Sequence, residues 1–119
     1  MTKAVFLVTA AIEKGLEVAE AWQTAGAPGV TIIDGYGLRR LQEKSAGLDL
    51  PPIVSMAAIL RQAEEQTTQI IFSITEDDLV DTLIEAAERI LGDLEAPQNG
   101  IAFVMPVERV VGLRYHGPR

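Results

Sequence analysis

The chain has no cysteine, one histidine and one tryptophan, and aromatic residues make up only 5% of it. Without thiols, neither a disulfide framework nor a thiolate metal site can form, so packing must hold the fold in any redox compartment. Basic charge is also scarce: 10 Lys and Arg stand against 17 Asp and Glu, for a formal net charge of -7. Neutralising phosphates takes clustered Lys and Arg, so nucleic acid is excluded as a partner. No apolar run reaches the ~18 residues that a membrane span needs, which argues against direct membrane insertion. Lys3 followed by Ala4 to Ala11 looks superficially like a secretory leader. The run is short and β-branched and passes directly into helical spacing, so it reads as a buried strand. A cytoplasmic protein is expected. Catalytic residues are thin as well, since there is no Walker loop, no Gly-x-Ser-x-Gly elbow and no His-Glu-x-x-His. His116 reads as an exposed tail residue, and no catalytic or metal residues are assigned.

What is present is a repeated pattern. Ala4 to Thr9 is a β-rich run, Lys14 to Ala25 has helical spacing, and Gly29 to Tyr36 is β-rich again. Gln69 to Ile74, Asp77 to Leu91 and Ile101 to Met105 repeat that order. Such an order predicts one α+β domain over residues 1–119, a ferredoxin-like βαββαβ sandwich with two helices on one face of an antiparallel sheet. In the second helix, Leu79, Val80, Leu83, Ile84, Ala87, Ile90 and Leu91 form one broad apolar stripe. Thr75 with Asp78 has capping-box spacing, and Glu76, Asp77 and Asp78 suit the positive end of the helix dipole. In the first helix, Leu16, Ala19 and Trp22 are expected to face inward, with Gly26 and Pro28 closing it.

The first and last strands, Val5 to Val8 and Ile101 to Met105, are apolar at consecutive positions, so both faces of the sheet avoid water. Two helices cover one face only. The other face then predicts a homo-oligomer, because soluble monomers rarely carry so large an apolar patch. Val107 to Leu113 reads as a fifth, extra C-terminal strand beyond Pro106, expected to pair near a subunit boundary. Between Gly37 and Gln66 lies an insertion of about 30 residues where hairpin loops usually hold ~2 to 5. It contains Arg39, Arg40, Lys44, Ser45 and Leu48, and is expected to be a partner-binding loop.

These residues resemble the PII nitrogen-regulatory signal proteins. Glu76-Asp77-Asp78-Leu79-Val80-Asp81-Thr82 is similar to the family's acidic pair followed by Ile/Leu-Val-Asp-Thr. Gly100-Ile101-Ala102-Phe103-Val104 and Val107-Glu108-Arg109-Val110 resemble its C-terminal signature. Gly29-Val30-Thr31 and Gly35-Tyr36-Gly37 resemble its glycine-threonine strand and the entry to its T-loop. The resemblance implies a non-enzymatic homotrimer that regulates nitrogen or carbon metabolism by binding a transporter or enzyme through the loop. It also implies adenine nucleotide and 2-oxoglutarate in clefts between subunits. By position it assigns Thr31, Gly35, Gly37, Arg39, Asn99, Gly100 and Arg114 to ligand binding. The chain departs from the family between Leu91 and Gly100, where the phosphate-gripping lysine is absent and Asp93 and Glu95 stand instead. Gly112 replaces the companion of Arg114. A triphosphate needs several charge-assisted donors at ~1.5 to 3 kcal/mol each, so no cofactor is required and tight ATP binding is not expected. No Tyr lies between Gly37 and Gln66, which removes the residue that enteric relatives uridylylate. A trimeric metal-ion tolerance protein of the same plan is the alternative, weakened by the lack of Cys and the single His.

Overall fold

The computed structural model describes residues 1–36, 68–96 and 99–113. Along the chain these form β1 (Thr2–Thr9), α1 (Ile12–Ala25), β2 (Thr31–Gly35), β3 (Thr68–Glu76), a 3-10 turn (Asp77–Leu79), α2 (Val80–Leu91) and β4 (Ile101–Pro106). The strands make one antiparallel sheet in the order β2-β3-β1-β4. Both helices lie on one face of it, which gives the α+β, ferredoxin-like arrangement expected from the pattern.

Period-2 alternation sends Val5, Leu7 and Thr9 of β1 and Ile71, Ser73 and Thr75 of β3 toward the helices, where all are buried. They meet Val18, Ala19 and Trp22 of α1 and Val80, Leu83, Ala86, Ala87 and Leu91 of α2. The Trp22 indole lies inside this core, and its Nε1 donates to the Leu83 carbonyl at 2.9 Å. At the end of α1, Gly26 adopts φ 112° and donates to Gln23 O, while Ala27 donates to Trp22 O. This is a Schellman ending, and it needs a residue that tolerates the left-handed region. Gly26 therefore closes α1 as expected.

Three local expectations fail. Leu16 is 61% exposed, because the buried stripe of α1 runs through Gly15, Val18, Ala19 and Trp22. Thr75 is not a cap: its side chain is committed to the interior of β3, and the 3-10 turn starts after Glu76 with no side-chain cap bond. Asp77 N instead donates to Met1 O at 2.9 Å. The extra strand over Val107 to Leu113 does not form, and these residues are irregular. Val107 N bonds Thr2 O, and β1 begins at Thr2. Beyond that point, among the described residues of one chain, β1 offers no further ladder positions to join.

The face away from the helices carries Ala4, Phe6 and Val8 of β1, Ile70, Phe72 and Ile74 of β3, Ile33 of β2, and Ile101, Phe103 and Met105 of β4. Phe72, Phe6 and Phe103 are register partners across three strands. Their rings stack with centroids 5.5 Å and 4.8 Å apart. Ile101 is 65% exposed and Met105 51%. In β3 the usual contrast between faces is weakened: the helix side holds Gln69, Ser73 and Thr75 beside the core residue Ile71, and the open side holds Ile70, Phe72 and Ile74.

Candidate functional site

Thr31 opens β2 opposite Phe72, whereas β3 continues to Glu76. From Ser73 onward the β2-side edge of β3 therefore has no ladder partner, and among the described residues no backbone hydrogen bond from residues 28–30 reaches it. The gap is a recess of about 390 Å³ bordered by Gly29, Val30, Thr31, Phe72, Ile74 and Leu113. Gly112, at φ 92°, brings the chain after β4 back to this rim. Ser73 also lines the recess; it is 1% exposed and its hydroxyl has no hydrogen-bond partner. An open strand edge beside apolar walls suits a flat, mostly uncharged group with a hydrogen-bonding edge.

Gly100 and Asn99 lie elsewhere, in the turn between α2 and β4. Gly100 has φ 131°, and a Cβ on it would stand 2.8 Å from Val8 O. Asn99 Nδ2 donates to Asp93 O at 2.7 Å and so ties the turn to itself. Three of the turn's amides are already used: Leu94 N donates to Glu88 Oε2 at 3.2 Å, Glu95 N to Asp93 Oδ1 at 2.9 Å, and Ala96 N to Asp93 O at 3.0 Å. An arriving phosphate would meet carboxylates where it needs donors.

Thr31 on β2 and Gly100 before β4 sit on opposite edge strands, with β3 and β1 between them. One chain therefore does not bring them into a single pocket. Gly35 ends β2 and packs against Thr68 O, 3.7 Å from where its Cβ would be. Gly37, Arg39, Arg40, Lys44, Ser45, Leu48 and Arg114 fall outside the described residues. Ser73 and Gln69 were not foreseen, since a strand rich in Ile and Phe gives no hint that its polar positions face the helices. Among the described residues no three His, Cys, Asp or Glu side chains converge as metal ligands. No helix among them is long and apolar enough to cross a membrane.

The described elements are thus a ferredoxin-like sheet with one apolar face left open and about 30 residues between its second and third strands. The family described as Nitrogen regulatory protein P-II matches residues 3–116, and the chain belongs to it. No curated protein matches the sequence. Solved structures share the fold at low identity. The Bacillus subtilis GlnK–ATP complex is 17% identical, with 87% of this chain and 79% of that one covered and a TM-score of 0.54. A putative PII-like signaling protein from Thermus thermophilus is 16% identical over 87% of this chain and 83% of its own, with a TM-score of 0.53. CPII bound to ADP and bicarbonate, from Thiomonas intermedia, is 15% identical over 97% and 94%, with a TM-score of 0.55.

Proposed function

We propose that the protein is a non-enzymatic PII-type regulator that works as a homotrimer. In this reading it engages a transporter or enzyme through residues 37–66 and is gated by a small ligand in the clefts between subunits. The observation that carries the reading is the open face of β3. Ile70, Phe72 and Ile74 all point away from the helices, while of the four residues that face them only Ile71 is apolar and Gln69, Ser73 and Thr75 are polar. A chain selected to stand alone would place those two sets the other way round. Copies of the chain that bury the Phe6 stack remove that apolar surface from water. They also bring the Thr31 edge of one subunit toward the Gly100 edge of another, which a single chain cannot do.

The ligand class follows from the two half-sites. The recess between Thr31 and the open edge of β3 suits a base-like ring, and GlnK and CPII have been captured with ATP and ADP. The turn at Asp93 supplies no free amide among Leu94, Glu95 and Ala96 for a phosphate chain. The second and third phosphates of an adenine nucleotide are therefore expected to add little. Thermal shift with adenosine, AMP, ADP and ATP tests this directly, because a ligand at ~100 times its dissociation constant stabilises by ~2.7 kcal/mol. Shifts of similar size for AMP and ATP are expected. No shift with any adenine compound would contradict nucleotide gating, and a far larger ATP shift would contradict the account of the turn. Deleting residues 45–58 should spare assembly and abolish partner capture; loss of assembly would make the segment structural.

A further inference from the structure

At the end of the sheet where residues 37–67 leave it, three elements meet on one side chain. Asp34 and Gln69 are register partners, one pair before the ladder ends at Gly35 and Thr68. Gln69 Nε2 donates to Asp34 Oδ1 at 3.2 Å. A carboxylate can only accept, so this bond fixes the amide's orientation and turns Oε1 toward α1. There Oε1 is buried without a hydrogen-bond partner. It rests on Gly15, in the direction a side chain would take: a Cβ there would overlap Oε1 and stand 2.9 Å from Cδ. The only contact open to this oxygen from that side is a weak Cα–H···O interaction.

Gly15 is buried inside α1, at position 15 of a helix spanning Ile12–Ala25, and it has no positive φ. Its backbone does not demand glycine, and Gln69 is the neighbour that does. Glycine inside a helix is destabilising relative to alanine, and a buried acceptor without a donor is destabilising too. Two unfavourable choices made at one contact, at the root of the inserted segment, point to a role beyond packing.

We infer that Gln69 is a positioning residue that couples the root of residues 37–67 to helix α1. Through Asp34 it holds β2 and β3 in register, and through Gly15 it sets their distance and angle to the helix layer. A displacement of α1 is thereby passed to the strand ends from which the segment departs. The functional weight of this coupling rests on the proposed partner-binding role of that segment. Its test uses no partner, so either can fail alone.

The test is a double-mutant cycle of Gly15→Ala and Gln69→Ala in the full chain, read by thermal midpoint and by amide hydrogen exchange. Gly15→Ala should lower the midpoint when Gln69 is present and raise it in the Gln69→Ala background. Exchange at whichever of the Asp34, Gly35, Thr68 and Gln69 amides are protected should quicken by roughly tenfold or more in either single variant. The Val5 and Leu7 amides should quicken only by as much as the change in global stability accounts for. A Gly15→Ala chain that folds only when Gln69→Ala is also present counts as the same sign reversal. If neither carrier of Gly15→Ala folds, exchange in Gln69→Ala alone decides. A midpoint raised by Gly15→Ala in both backgrounds, or unchanged exchange at those amides in Gln69→Ala, overturns the inference.

Discussion

Single residues in this chain separate structural demand from sequence resemblance. Gly100 corresponds by resemblance to a ligand-site glycine, yet its φ of 131° and the 2.8 Å approach to Val8 O already require glycine. Gly100→Ala should cost about 1 to 3 kcal/mol, seen as a lower urea midpoint at unchanged slope. Trp22→Phe should cost a similar ~1 to 3 kcal/mol, since it removes the Nε1 bond to Leu83 O and part of a ring that fills the core. The contrast between neighbours in α1 is sharper. Val18→Ala, at a fully buried position, should lower stability by about 2 kcal/mol. Leu16→Gln, at 61% exposure, should change it by no more than about 0.5 kcal/mol. Equal losses in denaturant titrations of the two would contradict the packing face described here.

The elements differ in how much of them the sequence announces, and the reason is physical. In α2 the buried residues Val80, Leu83, Ala87 and Leu91 are apolar against an acidic outer face, so helical periodicity alone placed them and missed only Ala86 among the buried residues. In α1 the inward stripe includes Gly15, which carries no hydrophobic signal, and Leu16 beside it drew the reading one residue round the helix. The antiparallel sheet and both helices followed from pattern, whereas the extra strand after Pro106 does not form within one chain, because strand propensity cannot tell where a partner ends. The site was less legible. Thr31, Gly35, Asn99 and Gly100 could be nominated by resemblance, but the Ser73 recess and the Gln69 contact depend on which face of β3 meets the helices. That same difference between faces makes an element-level prediction. Ile71→Glu, on the helix side, should unfold the subunit by circular dichroism. Phe72→Glu, one residue along on the open side, should preserve its circular dichroism while dissociating the assembly. A folded Ile71→Glu subunit or an intact Phe72→Glu assembly would mean that the two faces have been exchanged.

Taken whole, the molecule is half of a packing problem. Its helices close one side of the sheet around Trp22, Leu7 and Leu83, and the Phe72–Phe6–Phe103 stack leaves the other side facing water. Membership in the P-II family, a segment leaving from Gly35, and the proposed half-sites on opposite edge strands all find one explanation if copies meet across that face. Sedimentation equilibrium of the purified chain at micromolar concentration measures this most directly. The account predicts a single species of three times the subunit mass, reduced to one subunit by Phe72→Glu; a wild-type chain that sediments as a stable lone subunit would contradict it.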